Sequence, residues 1–87
     1  MSDIRVTKES IEAKIIDQEY FKLGETLTVC VLTLENGFTV TGESACIDPA
    51  NYDQNTGRKI AYEEAFDKLW AFEGYLLKEK LYQEGKN

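Results

Sequence analysis

The run TLTVCVLTLENGFTVTGESA, Thr26 to Ala45, constrains the fold of this chain more than any other feature. β-branched and apolar residues flank Asn36-Gly37, the dipeptide preferred in two-residue type I′ hairpin turns because both positions need positive φ. With Glu35 paired to Phe38, one face of the hairpin carries Leu27, Val29, Val31, Phe38 and Val40. The other carries Thr28, Cys30, Leu32, Leu34, Thr39 and Thr41. Both faces are partly apolar, and a lone hairpin is marginal in water. The sheet must therefore pack on a helix and gain further strands, either from Ile4-Arg5-Val6 or from another subunit.

Helical segments stand on either side of the hairpin. From Thr7 to about Gln18 the pattern is helical: Thr7 can cap, Glu9 suits the N-terminal end, and Ile11, Ala13 and Ile15 give an apolar stripe. A second helix runs from about Arg58 to Tyr82, roughly 37 Å at 1.5 Å per residue. Ala61, Tyr62, Ala65, Phe66, Leu69, Trp70, Phe72, Leu76 and Leu77 cover more than half of its circumference, wider than one small sheet needs. The surplus edge, Phe66, Trp70 and Leu77, points to self-association through this helix, unless the N-terminal helix covers it. Glu73 lies inside the apolar arc, so it sits either at a wet rim or against a cation. Gly74 in mid-helix costs about 1 kcal/mol against alanine and marks a candidate helix crossing. The expected architecture is a single α+β domain over residues 1–87: an antiparallel, hairpin-centred sheet packed on a long C-terminal helix, with a short N-terminal helix.

Composition excludes several functions. The net charge of −6 argues against general affinity for nucleic acid or anionic membrane, and no apolar run reaches the roughly 20 residues of a membrane span. The N-terminus lacks the apolar core of a signal peptide, so a cytoplasmic protein is expected. There is no histidine. Cys30 and Cys46 read as buried structural thiols, and no metal or other cofactor is expected.

The loop CIDPANYDQNTGRK, Cys46 to Lys59, presents oxygen-bearing side chains at Asp48, Asn51, Asp53 and Asn55. No register of it satisfies a calcium loop, because Gly57 and Glu63 each fall one place late counting from Asn51. An anion site is physically sound. Asn55 or Thr56 would cap the long helix, leaving first-turn N–H groups free beside Arg58 and Lys59. The plain alternative is ordinary helix-start residues with solvated cations. No nucleophile has a base beside it, and the paired acids Glu63 and Glu64 point different ways on the helix, so no catalytic residues are expected. Tyr52, Tyr62, Phe38 and Trp70 are candidate stacking rings, against the plainer reading that aromatics of a small domain belong to its core.

Four segments carry a resemblance: NGF with TGES (Asn36–Phe38, Thr41–Ser44), DPANYD (Asp48–Asp53), GRKIAYEEA (Gly57–Ala65) and LWAFEGYLL (Leu69–Leu77). In order and spacing they resemble a family of small phage and prophage proteins typified by gene forty-nine of phage N4 and gene sixty-six of phage Sf6. The chain is also similar to the Thoeris anti-defence proteins of the first type. That similarity implies a non-enzymatic oligomer that sequesters a cyclic nucleotide or ADP-ribose-derived immune signal. The candidate ligand residues are then Arg58, Lys59, Asn51, Tyr52, Phe38 and Thr56. The rival expectation is an acidic module that blocks a host protein such as a nuclease.

Overall fold

The computed structural model describes residues 5–85. Its order is α1 (Lys8–Glu12), β1 (Ile15–Leu23), β2 (Leu27–Leu34), β3 (Thr39–Ala45), a 3-10 turn (Pro49–Asn51) and α2 (Gln54–Gly85). The strands form an antiparallel meander, β1-β2-β3, with α2 laid across one face. This is the expected α+β arrangement, with two corrections.

The first concerns the N-terminal segment. Thr7 and Ser10 cap α1 reciprocally, each backbone N–H donating to the other's hydroxyl at 3.1 Å. The helix then stops at Glu12 instead of running to Gln18. Ile15 to Leu23 forms the third strand, with Tyr20 opposite Cys30 and Phe21 opposite Val29. Ile15, Ile16, Tyr20 and Phe21 favour strand over helix, and pairing with β2 completes a sheet that a hairpin alone would leave marginal. The sheet extension therefore comes from within the chain, and Arg5 and Val6 form no strand. Ile4 lies outside the described residues.

The second concerns the hairpin register. Leu34 N–H donates to Phe38 O, and Gly37 N–H to Leu34 O, both at 2.8 Å. The turn is therefore a three-residue loop, Glu35-Asn36-Gly37, with Gly37 alone at positive φ (90°). Pairing shifted by one residue moves every β3 side chain to the opposite face. Val40 now stands opposite Leu32, and Phe38 turns to the helix side, where its ring meets Phe72 edge-on at 5.3 Å.

The core joins Ile11, Cys30, Leu32, Leu34, Val40, Ala61, Ala65, Phe66 and Leu69. Fully burying a side chain such as Leu32 or Leu69 contributes about 1.5–3 kcal/mol. Small residues set the distance between the layers: a Cβ on Gly42 would fall 2.1 Å from Ala61 O and 2.3 Å from Ala65 N. Along the outer edge of β3, Lys68 Nζ donates to Thr41 O at 2.6 Å and Glu64 accepts from Glu43 N–H at 2.8 Å. These two side chains occupy an edge that would otherwise be free to pair with another strand. Among the described residues no element covers the second face of the sheet, which presents Phe21, Leu23, Leu27, Val29 and Val31 with Asp17, Glu19 and Glu43. Helix α2 is about 48 Å long at 1.5 Å per residue. Its last buried residue is Leu69, so its C-terminal end runs past the sheet and gives the molecule its 55 × 20 × 19 Å shape.

Candidate functional site

The start of α2 does not offer an empty anion cradle. Asp53, rather than Asn55 or Thr56, caps the helix: its Oδ1 accepts from Asn55 N–H at 3.1 Å and its Oδ2 from the Thr56 hydroxyl at 2.9 Å. The Thr56 hydroxyl, followed by Asn55 N–H, holds the Asp53 carboxyl below its usual range. A carboxylate that stays ionised at the first turn repels a second anion there. Asp48 plays the same part in the 3-10 turn, accepting from Ala50 N–H at 3.0 Å. The oxygen-rich loop thus turns its carboxylates onto its own backbone.

Cations and rings converge one turn further on. Arg58 leaves α2 toward β1 and places its Cζ 5.3 Å from the centroid of the Tyr20 ring. Two residues along the same strand face, Lys22 places Nζ 4.4 Å from the centroid of Tyr52. Tyr52 is anchored by Thr28, their hydroxyls 3.1 Å apart, and the Tyr20 hydroxyl donates to Gln18 at 3.0 Å. Both contacts are within cation–π range. Lys59, the next helical residue, turns the other way, into an open groove between α1 and α2. The groove holds about 300 Å³ and is bounded by Lys8, Lys59, Tyr62, Phe66 and Trp70, with Glu63 and Asp67 along its outer wall.

Tyr62 joins the two parts. It lies one helical turn below both Arg58 and Lys59, and its ring starts a ladder down α2: 5.8 Å to Phe66, then 6.2 Å from Phe66 to Trp70. Burial, above all, pushes the Tyr20 and Tyr62 phenols up, so both remain neutral donors at physiological pH. The result is a strip of two adjoining parts: Tyr20 and Tyr52 with Arg58 and Lys22, and Tyr62, Phe66 and Trp70 with Lys8 and Lys59. Four of the ten lysines and arginines stand along it, in a chain of net charge −6.

The expected ligand residues are therefore only partly assembled. Arg58, Lys59 and Tyr52 flank one strip. Asn51 is exposed at the end of the 3-10 turn, and the Thr56 hydroxyl is committed to Asp53. Phe38 sits at the hairpin tip, at the opposite end of β3 from the start of α2, about 20 Å away at 3.3 Å per strand residue. Of the residues expected at an oligomer interface, Phe66 and Trp70 line the groove, while Leu77 borders a separate hollow of about 220 Å³ with Arg5, Val6 and Lys14. Sequence reasoning missed Tyr20, Lys22 and Lys8 as site residues. The i, i+2 spacing of Tyr20 and Lys22 is their signal, and it becomes legible once the segment is read as a strand.

The family comparison agrees with the segments that carry the resemblance. A model of the Phage protein (N4 Gp49/phage Sf6 gene 66) family matches residues 6–81. The chain belongs to that family. The match spans α1, the sheet and most of α2, so the strip of rings and cations lies wholly within the N4 Gp49/Sf6 gene 66 region. No curated protein and no solved structure matches the chain. Among the described residues no helix is long and apolar enough to cross a membrane.

Proposed function

We propose that this phage protein is a non-enzymatic binding module that captures a small planar anion. The reading extends to the cyclic nucleotide or ADP-ribose-derived class of immune signal, whose sequestration inside the infected bacterium would blunt host defence. The observation that carries it is this placement of rings and cations: Tyr20, Tyr62 and the exposed Trp70 supply faces on which a base can stack, with Phe66 packed beneath them, and Arg58, Lys59, Lys8 and Lys22 supply charge for phosphates. In an acidic protein such a local concentration of cations also gives selectivity, since long polyanions meet repulsion everywhere else. The resemblance to the first type of Thoeris anti-defence protein points the same way.

The test is calorimetric titration of the full chain with cyclic nucleotides and ADP-ribose derivatives, followed by Arg58→Ala and Lys59→Ala. Saturable binding that each substitution weakens supports the reading. Binding that neither changes would remove the site, and the absence of binding across the series would remove the function.

A second reading, an acidic module that occupies a host protein, is favoured by the uncovered sheet face, where Phe21 and Leu23 are exposed among Asp17, Glu19 and Glu43. Phe21→Ser should abolish capture of such a partner and leave nucleotide affinity unchanged.

A further inference from the structure

The open face of the sheet is ordered by charge. Alternation along β2 puts Thr28, Cys30, Leu32 and Leu34 under α2 and leaves Leu27, Val29 and Val31 as an apolar stripe down the middle of the other face, half-buried by their neighbours. On β1, Phe21 and Leu23 widen the stripe and are 46% and 54% exposed. The charged strand residues of this face are Asp17 and Glu19 on β1 and Glu43 on β3, one strand to either side of the stripe, and every one is an acid. The nearest cations lie elsewhere: Lys22 and Arg58 pack on tyrosines of the α2 side, and Lys68 reaches only the edge of β3.

Building on the second reading, in which this face occupies a host protein, we infer that the partner presents a cationic amphipathic helix. Charge decides the sign. Asp17, Glu19 and Glu43 repel nucleic acid, an anionic membrane and the same face of a second copy. A partner with lysine or arginine along both flanks of an apolar stripe meets acids on both sides and apolar side chains between them. Geometry decides the shape. Neither edge of the sheet readily receives an added strand: Lys68 and Glu64 bond the backbone of β3, and Asp17 Oδ1 already accepts from Gln18 N–H on β1 at 3.0 Å. The partner therefore lies on the sheet rather than beside it. Three strands about 4.8 Å apart make a platform about 14 Å wide, and the eight residues of β2 make it about 26 Å long. A helix about 10–12 Å across and about 18 residues long covers it. A helix on each face then completes the burial that α2 begins. The strip of rings and cations stays open, so this docking is independent of nucleotide capture.

The probe is a synthetic peptide of about 18 residues, with leucine at i, i+3, i+4 and i+7 spacing and lysine on both flanks, titrated against the full chain by fluorescence anisotropy. Saturable binding is expected. Exchanging its lysines for glutamate, or scrambling its order at constant composition, should weaken binding about tenfold or more. Phe21→Ser should do the same. So should Asp17→Lys with Glu19→Lys, and that variant should now bind the glutamate peptide. Both acids are exposed, so circular dichroism will show an unchanged fold. Glu79→Lys with Glu84→Lys, at the far end of α2, alters net charge equally and should leave the affinity as it was. An equal loss there, or binding that Phe21→Ser does not change, would overturn the docking face. A peptide of alternating leucine and lysine separates the helix from the face. If it binds in place of the helical peptide, and Phe21→Ser abolishes that binding, the helix is overturned while the face remains a protein-binding surface. Binding by neither peptide overturns the cationic partner, and the second reading then depends on whether Phe21→Ser abolishes capture of a host protein.

Discussion

Lys14 donates to Glu73 at 2.6 Å, tying the loop after α1 to the middle of α2 across 59 residues of sequence. This bond explains how a carboxylate can stand inside the apolar arc of α2. The Glu73 side chain is 14% exposed and the Lys14 side chain 34%, so the pair is shielded but not dry. Lys14→Met leaves Glu73 in a half-buried position without its cation. The expected loss is about 1–2 kcal/mol, less than the strongest charged hydrogen bonds because the lysine is partly solvated. In a domain this small that lowers Tm by roughly 5–15 °C. Lys14→Met combined with Glu73→Leu should recover most of the loss, since the stranded charge is gone. Thermal melts of the parent and the two variants decide it; equal losses in the single and the double variant would mean that the stranded Glu73 charge is not the cause.

Gly42 is the position at which the fold is least tolerant. A methyl group there would meet Ala61 O and Ala65 N, both backbone atoms of α2, so no side-chain rotation can make room. Gly42→Ala must lift the helix off the sheet and open the contacts of Leu32 and Val40 with it. The expected cost is about 4 kcal/mol or more, enough to leave little folded protein by circular dichroism. Gly37→Ala is the control: open space surrounds that position, and only its φ of 90° resists the change, for about 1–2 kcal/mol. Comparable losses in the two variants would show that the layers are not as close as Gly42 implies.

The sequence revealed the elements that local chemistry decides by itself. Helix α2 was legible from its apolar arc, and β2 and β3 from β-branched residues around Asn36-Gly37. Strand β1 was not, because Ile11 and Ile15 fit a helical stripe as well as they fit a turn followed by a strand. What decides for the strand is the unpaired edge of β2, a long-range demand that no local window contains. The hairpin register failed for a related reason: Asn-Gly suits both a two-residue and a three-residue loop, and packing of Val40 beside Leu32 under α2 selects the second. At the candidate site, Arg58, Lys59 and Tyr52 could be picked out as cations and a ring near a helix start. Their partners Tyr20 and Lys22 were hidden by the misread strand. Asp53 was not legible as the cap, because Asn55 and Thr56 are cap residues too and stand nearer the apolar pattern of α2.

Phe38 separates the proposed site from the one expected from sequence. Its ring packs on Phe72 at the hairpin tip, remote from Arg58. Under the proposed function, Phe38→Leu should keep most of that packing and leave nucleotide affinity unchanged, while Arg58→Ala weakens it. The Arg58 variant should also show a shallower dependence of affinity on salt, because one phosphate contact is lost. Titrations at two ionic strengths read both effects. A nucleotide affinity that falls with Phe38→Leu would return the hairpin tip to the binding site.

Asp53 gives the fold a dependence on acid whose sign can be worked out. Its folded pKa lies below the ordinary value of 3.8, chiefly through the Thr56 hydroxyl and then through Asn55 N–H. A carboxyl whose pKa is depressed on folding contributes stability above its unfolded pKa, and the contribution disappears as pH falls through the lower, folded value. The cap is therefore fully in place at neutral pH and lost only in acid, below about pH 4. Asp53→Asn should be less stable than the parent chain at pH 7, and the gap should close as both are acidified through that window. Thr56→Val, which removes the largest cause of the shift, should move the parent's acid transition toward higher pH. Urea unfolding across a pH series measures all three. A gap between parent and Asp53→Asn that stays constant into strong acid would mean that the ionised carboxylate is not what holds the start of α2.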